Sequence, residues 1–292
     1  MMKEVVNDLL EVIRLEQLEQ NLFRGASRNT RQRGIFGGLV AGQALMAAGR
    51  TVDAERPAHS LHAYFLRPGD YSVPIIYDVD RIRDGNSFAT RRVTAIQHGR
   101  PIFCLEASFQ VEEEGIEHQT DLPDVPMPDE LEDDETLRER LVGKVPESVR
   151  EAFMQPRPVE FRPVNPSNPF DTSPQAPIRR TWFRIPGDFD VDVATHRALL
   201  AYCSDYGLLG TAMLPHGVSF FQPNVMSASI DHAMWFHRPF KVNEWLLYDM
   251  DSPSASGARG FNRGSIYRAD GVLVASVAQE GLIRVNPPAA PI

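Results

Sequence analysis

The chain has 292 residues, which is length for two domains of about 100–150 residues each, and its 42% hydrophobic content gives both a core. A formal net charge of −9 argues against general affinity for nucleic-acid backbones or anionic membranes. The two cysteines, Cys104 and Cys203, have neither metal-type nor redox-motif spacing, so they read as buried thiols in a reducing compartment.

From the start, Met1 to Glu19 mixes charges with Leu and Val at helical spacing and lacks the apolar core of a signal peptide. The first strong helix candidate is Gly37 to Val52, rich in Gly and Ala, whose small residues allow close approach to a sheet. Strand signals follow at Tyr64–Leu66, Ile75–Ile82, Arg91–Ile96 and Pro101–Phe109, with hairpin turns expected at Asp84-Gly85 and His98-Gly99. From Glu112 to about Pro158 the chain turns acidic and proline-rich, and Asp129 to Glu135 is a solvated charge run. Leu137 to Phe153 has the pattern of a short amphipathic helix, and a second proline-rich run spans Pro156 to Pro177. A second dominant helix is expected from about Val193 to Met213, followed by an aromatic segment around His232 and a strand from Val272 to Val285, with a turn at Asp270-Gly271. No stretch approaches the ~18 apolar residues of a membrane span. The ending Pro-Pro-Ala-Ala-Pro-Ile is no peroxisomal or lipidation signal, so a soluble, cytoplasmic protein is expected.

The two flanks look alike. Phe65-Leu66-Arg67-Pro68 corresponds to Phe236-His237-Arg238-Pro239, in segments beginning His-Ala at His62 and His232. Gly99 follows Arg67 by 32 residues and Gly271 follows Arg238 by 33. Order and spacing together indicate an internal duplication. They divide the chain into residues 1–112, a linker over 113–177 containing a short helix, and residues 178–292. Each unit is a helix followed by antiparallel strands, an α+β pattern.

Several segments resemble the acyl-CoA thioesterase II family. They are Arg33-Gly34-Ile35-Phe36-Gly37-Gly38-Leu39-Val40-Ala41-Gly42-Gln43-Ala44, His59 to Gly69, Asp84 to Val93, and Ser229-Ile230-Asp231-His232-Ala233-Met234-Trp235-Phe236-His237-Arg238-Pro239-Phe240. The resemblance covers nearly everything but the linker. It implies a tandem (double) hot-dog fold, each half a central helix wrapped by a curved antiparallel sheet. It also implies hydrolysis of fatty acyl-CoA to free fatty acid and CoA, without metal, cofactor or covalent intermediate. The residues it implies for positioning the attacking water are Asp205 in Tyr202-Cys203-Ser204-Asp205-Tyr206-Gly207, Ser229, and Gln279 in Ser276-Val277-Ala278-Gln279-Glu280-Gly281. Many members carry Thr where this chain has Ser229, and both hydroxyls donate and accept. Ser227 lies two residues earlier on the same face of an extended segment, so the hydroxyl assignment stays between the two. The first half has no equivalent set. Acyl-CoA is the implied partner, and paired hot-dog domains imply a homodimer or homotetramer.

Read without the resemblance, Asp205 is a carboxylate in an apolar stretch, costly unless paired or hydrated, or else a helix-surface Asp facing water. Gln279 interrupts the run Val272, Val274, Ser276, Ala278, either as a strand-end polar residue or as a holder of water. Asp231 and His232 are adjacent on a strand and point to opposite faces, which argues against a dyad, as does the five-residue separation of His232 and His237 against a shared zinc site. No Gly-x-Ser-x-Gly elbow, dinucleotide fingerprint or P-loop is present. Arg28, Arg31, Arg33, Arg91, Arg92, Arg179 and Arg180 are candidates for CoA phosphates, against the plainer reading of solvated surface charges. The competing functions are a non-catalytic acyl-CoA-binding hot-dog protein and, more remotely, a hydratase on the same fold.

Overall fold

A computed structural model describes residues 2–27 and 34–286. The chain opens with helix α1 (Met2–Val12), whose Val6 and Leu9 are buried, and a short hairpin of β1 (Glu16–Glu19) and β2 (Leu22–Gly25). Helix α2 (Gly37–Gly49) and strands β3 (Ala58–Phe65), β4 (Ile75–Asp84), β5 (Phe88–Gln97) and β6 (Arg100–Gln110) complete the first half. The segment after β6 carries helices α3 (Asp134–Leu141) and α4 (Glu147–Phe153) and strand β7 (Glu160–Pro163). Then follow β8 (Ile178–Arg184), helix α5 (Val193–Ser204), the single turn α6 (Leu208–Thr211), β9 (Val225–Ser229), β10 (Asp231–Phe236), β11 (Leu246–Ser256), β12 (Arg259–Arg268) and β13 (Leu273–Val285).

Among the described residues the thirteen strands form one antiparallel sheet, in the order β1-β2-β4-β5-β6-β3-β10-β13-β12-β11-β8-β7, with β9 paired to β13. The order is a palindrome about the β3–β10 seam: β4, β5 and β6 on one side answer β11, β12 and β13 on the other. This is the duplication legible in the sequence, here closed into a single sheet. His62 faces Ala233 across the seam. Matching Phe65 to Phe236 puts these two residues in equivalent places, so the seam has approximate two-fold symmetry. The two His-Ala dipeptides are therefore one residue out of step: Leu61, not His62, matches His232.

Alternation decides which side of each strand is buried. In β3, Ala58, Ser60, Leu61 and Ala63 are buried while His62 and Tyr64 are exposed, and in β10 His232, Met234 and Phe236 are buried while Trp235 is exposed. The buried side receives the helices. α2 is buried along ten of its thirteen residues and packs on β2 through β6 and on α5, and α6 packs on β11, β12 and β13. The close approach depends on glycine: a Cβ at Gly42 would stand 2.7 Å from the Ala198 carbonyl oxygen, and one at Gly38 would stand 2.4 Å from that of Tyr202.

Local expectations hold where the pattern is strong and shift at boundaries. His98 and Gly99 both take positive φ in the β5–β6 turn, as does Gly271 before β13. Gly85 does not; the β4–β5 turn closes instead by the Gly85 amide donating to the Phe88 carbonyl at 2.8 Å. The helix expected from Val193 to Met213 breaks after Ser204, because Gly207 takes a left-handed conformation at φ 78° and caps a new turn. The helix expected at Leu137–Phe153 is two short ones, separated at Val145-Pro146. Cys203 is buried, but Cys104 is only partly so, and both are free thiols.

The first part of the chain between β6 and β8, residues 119–131, straps the outer side of the second half, while β7 pairs with β8 and Phe161 packs on the main core. Gln119 bonds the Gly271 carbonyl and the Leu273 amide, and the Trp182 indole donates to the Pro126 carbonyl at 2.9 Å. Beneath the strap Trp182, Leu247 and Tyr267 form a second small core with Leu122, Val125 and Leu131.

Candidate active site

Asp205 sits at the C-cap of α5, at φ −81° and ψ −7°. The helix starts firmly, with the Asp192 side chain accepting from the Thr195 amide at 2.7 Å, and it is broken by Gly207. That break turns the Asp205 carboxylate off the helix and toward the sheet. Its Oδ1 accepts from Nε2 of Gln279 at 2.8 Å, and its Oδ2 accepts from the Gly38 amide at 2.9 Å. The same Gln279 Nε2 lies 3.2 Å from Oγ of Ser229, whose hydroxyl is close enough to Asp205 to favour its ionised form. The three residues named in the sequence thus meet, from a helix end and two strands.

Gln279 is fully buried, in register with Ala275, Val277 and Gly281 on the helix side of β13. The run Ser276, Ala278 lies on the other face, so Gln279 does not interrupt a buried series; it belongs to one. Its Nε2 serves Asp205 and Ser229, while its Oε1 is buried without a partner among the described residues. Of the two serines, Ser229 pairs with Gly281 and reaches Gln279, whereas Ser227 pairs with Ile283, about 7 Å further along the strand.

The electrostatics of Asp205 are set by competition. Burial pushes its pKa up to about 6, and hydrogen bonds from Gln279, the Gly38 amide and Ser229 pull the other way. The Gly38 amide belongs to the first turn of α2, whose N-terminus also carries the positive end of the helix dipole. A half-buried carboxylate with a pKa near the operating range is suited to taking and returning a proton.

The last turn of α5 is held by a buried polar knot. Ser204 Oγ donates to the Ala201 carbonyl at 2.9 Å and lies 2.8 Å from Nε2 of His232. The Ser204 carbonyl accepts from the Tyr248 hydroxyl at 2.9 Å. Burial lowers the His232 pKa to about 4, so the ring is neutral, and its Nδ1 has no partner among the described residues. His232 and Asp231 point to opposite sides, as the strand geometry requires. Asp231 Oδ1 accepts from the Glu280 amide at 2.6 Å and fixes the step between β9 and β10. His237, exposed on the far face, meets Ser276 at 2.9 Å. No group of three or more His, Cys, Asp or Glu side chains suited to a metal occurs among the described residues.

The backbone amides around Asp205 are partly committed. The Tyr206 amide donates to the Cys203 carbonyl at 3.1 Å, and the Gly38 amide is held by Asp205. The Gly38 contribution has no signature in the sequence, because it is a contact between residues 167 positions apart. His232, Ser204 and Tyr248 likewise carry no motif of their own.

The arginines separate by their partners. Arg28, Arg31 and Arg33 lie outside the described residues. Arg91 is buried, with its guanidinium on Thr51, Arg83, Thr90 and Asp84. Arg92 pairs with Glu106 at 2.8 Å and Arg180 with Asp249 at 2.8 Å. Arg179 makes neither a hydrogen bond nor an ion pair among the described residues, and its Nε is buried.

The first half lacks the constellation because the positions equivalent to Gln279 and Ser229 are alanine. Phe65 pairs with Phe103 as Phe236 pairs with Ala275, which places Ala107 where the second half has Gln279. Ala58 pairs with Phe109 as Ser229 pairs with Gly281. Neither alanine can bond a carboxylate or a water.

Comparison with known proteins agrees with this geometry. Residues 26–110 match the family model of the acyl-CoA thioesterase N-terminal domain, and residues 148–282 match that of acyl-CoA thioesterase. Acyl-CoA thioesterase 2 of Haemophilus influenzae is 41% identical over 98% of this chain and 100% of its own length. Human acyl-coenzyme A thioesterase 8 is 43% identical over 94% of this chain and 88% of its own. The crystal structure of acyl-CoA thioesterase II TesB2 from Mycobacterium marinum superposes with a TM-score of 0.77 at 40% identity, covering 97% of this chain and 100% of that one. The chain therefore belongs to the acyl-CoA thioesterase II family, has its tandem hot-dog fold, and is an acyl-CoA thioester hydrolase.

Proposed function

We propose that the chain hydrolyses fatty acyl-CoA to free fatty acid and CoA by direct attack of a water held by Asp205, Ser229 and Gln279. The observation that carries this reading is the convergence of the three side chains, with Gln279 Nε2 bridging Asp205 at 2.8 Å and Ser229 at 3.2 Å. Asp205 takes a proton from the water as its oxygen attacks the thioester carbon. The C–S bond then breaks, and the protonated Asp205 returns the proton to the leaving thiolate. The amide of Gln279 fixes the carboxylate and the Ser229 hydroxyl, and its buried Oε1 is an acceptor without a partner among the described residues. No nucleophile of the chain is acylated in this scheme. The first half contributes the Gly38 amide, so the unit of function is the whole chain.

Acyl-CoA as substrate fits the relatives, whose names specify acyl-CoA thioesterases. Homodimeric or homotetrameric assembly and a cytoplasmic place of action belong to the same reading; among the described residues no helix is long and apolar enough to cross a membrane. The test is release of free thiol from a series of acyl-CoA chain lengths by wild type and by Asp205→Ala. Loss of release at unchanged folding is expected. Wild-type turnover by the variant removes Asp205 from the mechanism, and ligand binding without thiol release at any chain length establishes a non-catalytic acyl-CoA-binding protein instead.

A further inference from the structure

Arg179 stands on the helix side of β8, against the loop that carries Asp205. Its Cδ lies 3.6 Å from where a Cβ on Gly207 would be, and its Nη2 lies 3.6 Å from the same point on Gly210. The ring of Phe220 approaches Gly210 from the other side, at 3.1 Å from that point. Among the described residues the guanidinium has neither a hydrogen-bond nor an ion-pair partner. The carboxylate whose charge reaches it is Asp134, and that group is already shared between Arg138 at 2.9 Å and Arg157 at 3.0 Å. The side chain is half-buried and its Nε is buried without a partner among the described residues; a guanidinium is a planar fork of five N–H donors, and leaving a buried one of them unpaired is costly. The other arginines of β5 and β8 are all paired, so the missing partner is particular to this position.

We propose that Arg179 is an anion-recognition residue beside the Asp205 loop, its guanidinium taking an anionic oxygen of the thioester substrate. Two parts of such a substrate present that chemistry: a phosphate of the CoA portion, or a carboxylate at the far end of the acyl chain. The proposal rests on the reading of the Asp205 loop as the catalytic loop. An Arg fork binds phosphate and carboxylate bidentately, and Lys offers only a point charge.

Three substrates with one acyl length separate the cases: the acyl-CoA, the acyl N-acetylcysteamine thioester without phosphates, and the ω-carboxyacyl N-acetylcysteamine thioester. In Arg179→Met, the KM of the CoA thioester relative to the phosphate-free one is expected to rise about 10- to 100-fold if the partner is a phosphate. The same rise for the ω-carboxyacyl relative to the plain N-acetylcysteamine thioester assigns the partner to the acyl end. Arg179→Lys should show a partial loss in the same column. Calorimetric binding of CoA to Asp205→Asn, with and without Arg179→Met, gives a readout that does not depend on turnover. Unchanged KM ratios in Arg179→Lys and Arg179→Met together with unchanged CoA affinity overturn the proposal. So does a fall in thermal stability of Arg179→Met with Arg179→Lys kinetically identical to wild type, since that marks Arg179 as a packing residue.

Discussion

The amide of Gly38 donates to Oδ2 of Asp205 at 2.9 Å, joining the first turn of a helix in one half to the carboxylate of the other. The neighbouring position is equally constrained, because a Cβ on Gly37 would stand 2.8 Å from Asp205 Oδ2 and 2.7 Å from the Phe65 ring. Gly37→Ala is therefore expected to push the carboxylate off Gln279 and reduce kcat by about 100-fold, the scale of a 1 Å misplacement. Circular dichroism should remain that of wild type. Full activity in this variant would refute the placement of Asp205.

The raised pKa of Asp205 links activity to stability. Thioester hydrolysis should lose about tenfold in kcat/KM per pH unit below about 6, where the carboxylate takes up its proton. Above that pH the ionised group is less stable in the fold than in the unfolded chain, so it costs stability. Asp205→Asn should then be inactive yet more stable than wild type at pH 8, by about 1–3 kcal/mol. That difference should shrink as the pH falls from 6 toward 4. Denaturant titrations at pH 8 and pH 4.5 check the sign.

Gln279 and the two serines divide by geometry. Gln279→Glu replaces the donor to Asp205 with a second carboxylate, so the pair should hold one proton to higher pH. The activity profile is expected to shift alkaline, with at least a 100-fold loss at pH 7, about the scale of removing general-base help. Ser229→Ala should impair turnover, and Ser227→Ala, one strand step away from Gln279, should not. Equal effects of the two would move the hydroxyl assignment.

The knot at Ser204 gives a fourth test. His232→Leu, the residue found at the equivalent place in the first half, removes the 2.8 Å contact to Ser204 Oγ and loosens the turn that presents Asp205. A 10- to 100-fold fall in kcat is expected, on the order of a misplaced catalytic group. In an Asp205→Asn background the same change should cost nothing more; an equal loss there would show that His232 acts otherwise. Because burial lowers its pKa to about 4, His232 drains stability as the pH falls from 6.5 toward 4, and the Leu variant should be free of that loss.

Much of this was legible from residue order. The palindromic sheet follows from repeated landmarks such as Phe65-Leu66-Arg67-Pro68 and Phe236-His237-Arg238-Pro239, and the helices from small-residue runs. The candidate site was legible through resemblance rather than pattern: taken alone, Gln279 reads as a strand-end polar residue, because a register irregularity at the start of β13 puts Val274 and Ala275 both in the core and shifts the alternation by one residue. What stayed hidden depends on the third dimension. Gly38 meets Asp205 only once α2 and α5 lie together, and the break at Gly207 needs a left-handed φ that glycine permits but does not announce. The unpaired state of Arg179 is defined by what surrounds it, which no spacing encodes.

The strap between the halves has a consequence for the outside of the molecule. It lies over Leu247 and Tyr267, whereas Ile76 and Ile96, the matching positions of the first half, stay partly open. Two halves that repeat each other in backbone are thereby made unlike in skin. Anything that meets this protein from without encounters a dressed sheet at one end and a bare one at the other, and so has a way to tell left from right.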